Sequence, residues 1–497
     1  MITKYKLEII TFIGGAVVMI LELVGSRILA PYLGTSIIVW TSLIGIILAS
    51  LSLGYWWGGR LADKNPNYKT FSLIILISGL LIAIVSLIKT PVLFYLQKNF
   101  EDLRVGSIIG TLILFAFPSL SLGMISPYAI RLKIKSIAKS GQTAGSIYAV
   151  STAGSICGTF LAGFYLIATF GSTRILYILS ATLIITSLFT YSKLGKGKAI
   201  LLFLAILTLI SADFFEPYFK PNLLVDKDSA YNRIWIYEAK DPDSKRPILN
   251  LVTDAKGRQS SMFLGGDSDL AVEYTKYYRL VNHFNPTLKK VLMIGGGAYS
   301  YPKDFLQKHL DAHLDVVELD PEITYFAKKY FNLKDNPRLT IYHQDGRTFL
   351  NKTRNIYDAI LLDAFHSSLA IPFQLTTREV AQRLYQILSD GGVVIMNTIS
   401  SLEGDKGKFI RAEYHTFKEI FPQVYLFSVY DTDNGYSVKN VMLVALKTQK
   451  LPEFTSKDTQ LNDFLSHLWT KKVAEDVPFL TDDYAPVDQY IAEIFKK

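Results

Sequence analysis

The chain has 497 residues, half of them apolar, and carries 52 Lys+Arg against 43 Asp+Glu for a net charge of +9. This composition excludes a disordered chain, the single cysteine excludes a disulfide scaffold, and the positive mean hydropathy of +0.25 argues against a purely soluble protein. The charge is uneven: residues 1–215 hold 17 Lys+Arg and 6 Asp+Glu, whereas residues 216–497 hold 35 and 37. Since the excess lies in the apolar half, we expect no nucleic-acid partner.

The first half contains apolar segments long enough to cross the hydrocarbon core of a bilayer. There are six of them, at 9–31, 37–58, 72–96, 106–130, 144–169 and 173–191. A shorter apolar segment at 199–212 leaves open whether there are six or seven spans. Basic residues concentrate after the second, fourth and sixth segments, so the positive-inside rule places these loops and the N-terminus in the cytoplasm. We therefore predict a multi-pass α-helical transmembrane bundle over residues 1–215, with the lipid bilayer as its partner.

The second half changes to strands and loops from about residue 226. Short alternating strands predict a small β-domain over 216–268, and a helix is predicted from an N-cap at Asp269 to Val281. Strands then alternate with helices, at 291–294, 313–320, 339–343, 357–363, 392–396, 424–428 and 441–445. This alternation predicts a Rossmann-like α/β domain over 269–497, with a parallel, doubly wound sheet that binds its ligand at the strand C-termini.

The candidate chemistry lies at those strand ends. A glycine turn, Gly295-Gly296-Gly297, follows the first strand and allows close approach of the backbone to a ligand. Glu318 ends the second strand, where a carboxylate can accept hydrogen bonds from both ribose hydroxyls, and Asp345-Gly346 follows the third. The turn is not GxGxxG, so the pattern favours an S-adenosyl compound over a dinucleotide.

Several of these motifs, in this order, resemble the spermidine synthases, or polyamine aminopropyltransferases. They are Gln259, Gly295–Gly297, Val317-Glu-Leu-Asp320, Asp345-Gly346 and Tyr357-Asp-Ala-Ile-Leu-Leu-Asp363. The whole chain is similar to the membrane-fused branch, in which a multi-span region precedes a spermidine synthase-like domain. The resemblance covers about 226–495 by motif, and 1–215 by the layout of the spans and the loop at 58–64.

The resemblance implies a membrane-bound transferase that moves an aminopropyl group from decarboxylated S-adenosylmethionine to a small amine or polyamine, with no metal. It makes Glu318 the ribose ligand, Asp345 the adenine-amine ligand, and Gln259 a further nucleoside contact. Gly295, Gly297 and Gly346 complete the nucleoside site. Asp363 becomes the catalytic acid–base residue, because an ammonium is not nucleophilic until a base takes its proton. Since adenosyl donors are made in the cytoplasm, we expect the second half on that side of the cell membrane.

Three positions depart from the family pattern, because the family has an acidic residue at each of them and this chain does not. They are Ala298 after the glycine turn, His366 after Asp363, and Lys276 after Tyr274-Thr275. Candidate acceptor contacts are Tyr231, Tyr274, His366, Asp482 and Asp483. The departures keep two alternatives open: a methyltransferase that uses S-adenosylmethionine, and a non-enzymatic transporter or sensor with a nucleoside-binding domain. A homo-oligomer is also left open.

Overall fold

The computed structural model describes residues 5–100, 102–191, 222–254, 259–265, 269–365, 371–430 and 434–494. The chain divides into two compact units. The first comprises Met1–Pro221 with Asp228–Ala230, and the second comprises Asn222–Lys227 with Tyr231–Lys497.

Six long helices dominate the first unit, and each is long and apolar enough to cross a membrane. They are Lys6–Leu33, Ile37–Lys64, Tyr68–Asn99, Leu103–Lys133, Ile137–Leu166 and Ser172–Thr190. The fourth is a helix Leu103–Gly123 continued by Ile125–Lys133, and the fifth contains the α-helix Ser140–Leu161 and a π-helical turn, Ala162–Leu166. The prediction of six apolar spans is thus confirmed as six helices, whereas the segment 199–212 lies outside the described residues.

Glycines let these helices pack closely. A Cβ on Gly154 would collide with the carbonyl oxygen of Phe12 on the first helix, and a Cβ on Gly54 would collide with that of Leu120 on the fourth. Such small-residue contacts are typical of helix pairs in membranes. Asp228, from the short segment that belongs to this unit, accepts a hydrogen bond from the amide of Ser172 at the start of the sixth helix (2.6 Å).

A four-stranded sheet opens the second unit. Its strands are β1 (Leu223–Asp228), β2 (Arg233–Lys240), β3 (Pro247–Val252) and β4 (Ser260–Phe263), in that spatial order. The pairs β2–β3 and β3–β4 are antiparallel. Buried side chains of β2 and β3 share one hydrophobic cluster with Ala298 and with Phe326, so this sheet packs beside the glycine turn.

A seven-stranded sheet forms the centre of the second unit, in the order β10-β11-β9-β8-β5-β6-β7. The strands are β5 (Lys290–Ile294), β6 (His313–Val317), β7 (Leu339–Tyr342), β8 (Tyr357–Leu362), β9 (Leu388–Ser400), β10 (Gln423–Ser428) and β11 (Lys439–Leu446). The main helices are Ser300–Lys308, Pro321–Tyr330, Gly346–Lys352, Arg378–Ile387, Lys408–Lys418, Thr459–Ser466 and Val487–Ile494.

The prediction of a fully parallel sheet is wrong for one strand. β5 to β9 pair in parallel, but β11 runs antiparallel to both of its neighbours, β9 and β10. A parallel return needs a crossover of roughly a dozen or more residues, usually a helix. The connection 429–438 between β10 and β11 is shorter, so the two strands form an antiparallel pair. The sheet is therefore mixed.

The helix predicted from Asp269 begins later. Its first helical segment is Glu273–Tyr277, followed by a 3₁₀ turn Tyr278–Leu280 and a last turn Val281–Phe284. Leu270 forms a β-bridge with Met262, which keeps the backbone extended after Asp269. Asp269 therefore does not cap this helix, and its carboxylate lies 3.6 Å from the guanidinium of Arg279.

Candidate active site at the ends of the parallel strands

The C-terminal ends of four neighbouring strands are joined in register by backbone hydrogen bonds. The amide of Gly295 donates to the carbonyl of Val317 (2.9 Å), and the amide of Glu318 donates to that of Tyr342 (3.0 Å). On the other side, the amide of Asp363 donates to the carbonyl of Ile294 (2.8 Å). The glycine turn, Glu318 and Asp363 therefore lie along one edge of the sheet.

The glycine turn requires its glycines. Gly295 has φ +96° and Gly297 has φ +51°, a region that side chains other than glycine rarely adopt. A Cβ on Gly295 would lie 2.5 Å from the carbonyl oxygen of Asp363, and one on Gly297 would collide with Oγ of Ser260. The same Ser260 hydroxyl accepts a hydrogen bond from the amide of Ala298 (3.1 Å). The turn is thus held against β4 and against the end of β8.

Glu318 is bound to the glycine turn. Its Oε2 accepts hydrogen bonds from the amides of Gly296 (2.8 Å) and Gly297 (3.3 Å), and its Oε1 accepts one from the amide of Asp320 (2.9 Å). Glu318 is buried, with 7% of the residue exposed. The amides fix the carboxylate in one orientation at the end of β6. Carboxylate oxygens can each accept more than one hydrogen bond, so this geometry is compatible with a contact to ribose hydroxyls.

Asp345 is the N-cap of the helix Gly346–Lys352, and its Oδ1 accepts a hydrogen bond from the amide of Thr348 (2.8 Å). Gly346 is needed at the first helical position, because a Cβ there would lie 2.8 Å from Cγ2 of Ile294. The pair therefore has a structural role in bringing this helix close to the end of β5. Asp345 also lies beyond the end of β7, the strand that neighbours β6 and its terminal Glu318.

Gln259, which precedes β4, is buried with 5% exposure. Its Oε1 accepts hydrogen bonds from the amide and the hydroxyl of Thr253 (both 2.9 Å). Its own carbonyl oxygen lies 3.3 Å from the hydroxyl of Tyr274. Gln259 is thus connected to the site through Tyr274.

Asp363 is half-buried at the end of β8, and each of its carboxylate oxygens has a hydrogen-bond donor nearby. The hydroxyl of Tyr274 lies 3.4 Å from Oδ2, and Nδ2 of Asn397 lies 3.4 Å from Oδ1. Tyr278 donates to the neighbouring carbonyl of Leu362 (3.3 Å). Burial, followed by the charge of Asp363, raises the pKa of both tyrosines well above 10.0, so they remain neutral phenols.

Three residues around Asp363 were not among the sequence candidates: Tyr278, Asn397 and Asn440. Asn440 donates from its Nδ2 to Oδ1 of Asn397 (2.9 Å). Of the three, Asn397 could have been predicted from the sequence, since it is a polar residue that directly follows the apolar run of β9. The role of Asn440 depends on the antiparallel placement of β11, for which the sequence pattern carried no signal.

The remaining acceptor candidates lie in different surroundings. Tyr231 is 46% exposed, and Asp482 and Asp483 are also exposed. The carboxylate of Asp482 is 2.6 Å from Arg347 and accepts a hydrogen bond from the hydroxyl of Thr377 (2.6 Å). Its charge is therefore matched by a cation, and its Arg347 partner directly follows Asp345-Gly346. His366 lies outside the described residues.

The structure also shows the surroundings of two of the residues that depart from the family pattern. Lys276 is 2.8 Å from Glu273 on its own helical turn, so its ammonium is paired locally. Ala298 is fully buried in the cluster formed by β2, β3 and the helix Pro321–Tyr330. A methyl group packs in that cluster, where a carboxylate would be desolvated.

Comparison with known proteins shows that part of the chain is similar to one family. Residues 276–451 match the family model described as the spermine/spermidine synthase domain. A polyamine aminopropyltransferase of Vibrio vulnificus is 32% identical over 170 residues, which cover 34% of this chain and 54% of that protein. Polyamine aminopropyltransferase 2 of Aquifex aeolicus is 23% identical over 385 residues, or 74% of each chain. The alignment with the Aquifex protein extends into the helical half, since residues 222–497 make up a smaller share of this chain.

The aligned part of the chain spans about half the length of the Vibrio relative. An N-terminal histidine N-methyltransferase of Emericella nidulans is 31% identical over 181 residues, which cover 35% of this chain and 31% of that protein. Among solved structures, a probable spermidine synthase from Corynebacterium glutamicum aligns with 54% of this chain and 99% of its own, at 18% identity and a TM-score of 0.44.

Proposed function

We propose that this chain, which matches the spermine/spermidine synthase domain over residues 276–451 and has six apolar helices before it, transfers an aminopropyl group from decarboxylated S-adenosylmethionine to an amine in polyamine biosynthesis. The observation that carries the proposal is the position of the Asp363 carboxylate. It ends β8 beside the glycine turn, in register with Glu318, and has a neutral phenol within hydrogen-bonding reach.

In this proposal Asp363 is the catalytic residue. Its carboxylate holds the acceptor ammonium and takes one proton, which frees the nitrogen lone pair. The nitrogen then attacks the aminopropyl carbon bonded to the sulfonium, a C–N bond forms, and the C–S electron pair returns to sulfur to leave methylthioadenosine. The proton on Asp363 passes to water. Positioning of the nitrogen in line with that carbon supplies much of the rate enhancement in reactions of this type.

Tyr274 assists without changing its charge. Because burial and Asp363 keep its pKa well above 10.0, it donates a hydrogen bond and does not compete as a base. Its hydroxyl lies between Oδ2 of Asp363 and the carbonyl of Gln259, so it connects the proton acceptor to the segment that precedes β4.

Glu318, Asp345 and Gln259 bind the nucleoside in this account. Glu318 takes the ribose hydroxyls while the turn amides hold its carboxylate, and Asp345 takes the adenine amine. Gly295, Gly297 and Gly346 keep the backbone close enough for these contacts. Tyr231, His366, Asp482 and Asp483 remain proposed acceptor contacts.

A second candidate is methyl transfer from S-adenosylmethionine. The observation that favours it is Ala298, which is buried and brings no carboxylate toward the tail of the donor. A tail with a cationic amine alone gains from a nearby carboxylate, whereas a methionine tail carries its own. The partial similarity to a histidine N-methyltransferase supports the same alternative.

We also infer that the six helices are embedded in a lipid bilayer. Their outward faces carry many large apolar side chains, more than a soluble surface normally exposes. Examples are Leu48, Leu53, Ile84, Phe94, Phe117 and Phe164. The exposed Trp56 and Trp57 lie near the basic end of the second helix, and Arg60 is positioned over the ring of Trp56 at 3.7 Å. Aromatic and basic side chains are enriched at this depth of membrane helices.

The cytoplasmic side of the second unit stays a prediction. Single cysteines at the exposed positions Asp243 and Asp390, in a Cys157→Ser background, would be treated in intact cells with a membrane-impermeant maleimide. Protection before lysis supports the cytoplasmic side, and labelling of intact cells contradicts it.

The activity is tested by incubating the purified full-length chain with labelled decarboxylated S-adenosylmethionine and a panel of amines, followed by mass spectrometry. We expect an aminopropylated amine, and a loss of at least about 100-fold in rate for Asp363→Asn. The matched control is Asp390→Asn, since Asp390 is 99% exposed at the start of β9. Binding of methylthioadenosine without transfer to any amine would contradict the proposal.

A further inference from the structure

The end of β9 presents an amide to the proposed proton acceptor. Asn397 is fully buried, and its Nδ2 is the group that lies 3.4 Å from Oδ1 of Asp363. A buried amide must have hydrogen-bond partners for both its nitrogen and its oxygen, or folding loses stability. Asp363 meets that requirement on the nitrogen side.

Asn440 on β11 meets it on the oxygen side. Its Nδ2 donates to Oδ1 of Asn397 at 2.9 Å, and the two residues are diagonal neighbours in the β9–β11 register. This contact determines the orientation of the Asn397 amide. A flipped Asn397 would turn its carbonyl oxygen toward the Asp363 carboxylate and its NH₂ toward that of Asn440, which replaces two attractive contacts by two repulsive ones.

The amide pair thus differs from an ordinary buried contact. One carboxylate oxygen of Asp363 is held from β9 through Asn397, while the other is held by Tyr274 from the helix before β5. The carboxylate plane is therefore fixed from two sides. A carboxylate fixed in this way meets the acceptor amine in one orientation, which in-line transfer requires.

We propose that Asn397, itself oriented by Asn440, is a positioning residue that fixes the carboxylate of Asp363 for proton transfer from the acceptor amine. The inference rests on the proposed function, because it assumes that Asp363 is the proton acceptor. Both asparagines act through Asp363, and neither is required to touch substrate.

The test uses the full-length enzyme and three variants. Asn397→Leu removes the donor at similar volume, and Asn440→Ser removes the orienting contact at a half-buried position. The control is Thr398→Val, because Thr398 is the next residue on β9 and its side chain points to the opposite face of the sheet. We expect kcat to fall by on the order of 10- to 100-fold in the first two variants, with the KM for the donor nearly unchanged and the control equal to wild type.

A fourth variant gives a readout that a purely structural role would not change. Asn397→Asp replaces the amide with a second carboxylate beside Asp363, and like charges at this distance raise the pKa of one of the pair. The titratable side chains that interact with Asp363 include Tyr274 and Tyr278, and both stay neutral. The acidic limb of the pH profile of kcat/KM should therefore move upward by about one pH unit or more.

Two outcomes separate this inference from the proposed function. If wild type transfers no group, the proposed function fails, and titration of carbon-13-labelled aspartate, with Asp363→Asn used for assignment, still reports whether Asn397→Asp raises the pKa of Asp363. If wild type is active, then Asn397→Leu and Asn440→Ser with unchanged kcat and an unchanged acidic limb overturn the inference. Melting temperatures near that of wild type show that the variants are folded.

Discussion

At the scale of single residues, the carboxylates of Glu318 and Asp363 differ in the groups that donate hydrogen bonds to them. Glu318 accepts three backbone amides, so its carboxylate is immobilised by the fold before any ligand arrives. Asp363 instead receives donors from side chains, since the hydroxyl of Tyr274 and the amide of Asn397 each lie 3.4 Å from its carboxylate. A carboxylate held by backbone amides suits recognition of ribose, whereas one positioned by neutral side-chain donors suits proton transfer from a bound amine.

The first prediction concerns Glu318→Gln. The amide side chain keeps the size but loses the charge and turns one acceptor into a donor, which faces the turn amides or the ribose. We expect binding of methylthioadenosine to weaken by about 1–3 kcal/mol, the cost of a lost charged hydrogen bond. Calorimetry on the full-length chain measures it, with Glu322→Gln as control, because Glu322 is partly exposed and lies in the first turn of the helix that follows β6. Equal affinity in wild type and Glu318→Gln would mean that the nucleoside binds elsewhere.

The second prediction compares two glycines, in order to separate the cost of backbone strain at positive φ from the cost of a steric collision in the glycine turn. Gly295 and Gly391 both have positive φ, but a Cβ on Gly391 meets open space, whereas one on Gly295 meets the carbonyl of Asp363. Gly391→Ala should cost about 1–2 kcal/mol of stability from backbone strain alone. Gly295→Ala should cost more and should also abolish transfer, because the end of β8 must move. Thermal unfolding and the transfer assay report the two effects, and equal losses in both variants would refute the close approach.

At the scale of elements, the helix Lys408–Lys418 carries an unusual buried acid. Glu413 is fully buried, and both carboxyl oxygens lack a hydrogen-bond partner among the described residues. Burial raises the pKa of Glu413 well above its ordinary value of 4.5. The folded protein therefore holds a proton that the unfolded chain releases as the pH rises above 4.5.

The third prediction follows from the upward direction of the pKa shift of Glu413. The stability that Glu413 supports is fully present below pH 4.5 and is lost as the pH rises toward its raised pKa. Wild type should therefore lose stability relative to Glu413→Gln as the pH rises from 5 to 8. Melting temperatures of both proteins, with the exposed Glu419→Gln as control, measure the difference. A constant difference across this range would show that Glu413 titrates normally.

The strands of the α/β unit were predictable because buried parallel strands are short apolar runs, and each of the seven predicted segments falls on an observed strand. The positions of Glu318, Asp345 and Asp363 at strand ends followed from the same pattern. The direction of β11 did not, because direction depends on the length and path of a connection and not on hydrophobic periodicity. The start of the helix after Asp269 was also missed, since a single bridge between Met262 and Leu270 overrides a favourable N-cap residue.

At the scale of the whole molecule, the two halves of the chain have different surfaces. The first unit exposes apolar side chains along its helices, and the second buries two large clusters on either side of its central sheet. The excess of basic residues belongs to the first half, and several of them lie near the ends of its helices, among them Arg60, Lys64, Arg131 and Lys133. The proposed membrane-anchored transferase accounts for both halves in one chain.

The fourth prediction tests the anchoring. The full-length chain should remain in the membrane pellet after an alkaline carbonate wash and should be released by detergent, because six apolar helices are stable only in a bilayer or a micelle. A chain expressed from residue 222 onward should be washed off if it folds. Release of the full-length chain by carbonate alone would contradict an integral membrane protein.

The most direct test of the central claim is a competition between the two donors. The full-length enzyme would receive equal concentrations of decarboxylated S-adenosylmethionine and S-adenosylmethionine with an amine panel, and mass spectrometry would identify the group transferred. The account predicts an amine heavier by one aminopropyl group, formed together with methylthioadenosine and lost in Asp363→Asn. A methylated amine formed together with S-adenosylhomocysteine, and no aminopropylated product, would contradict it.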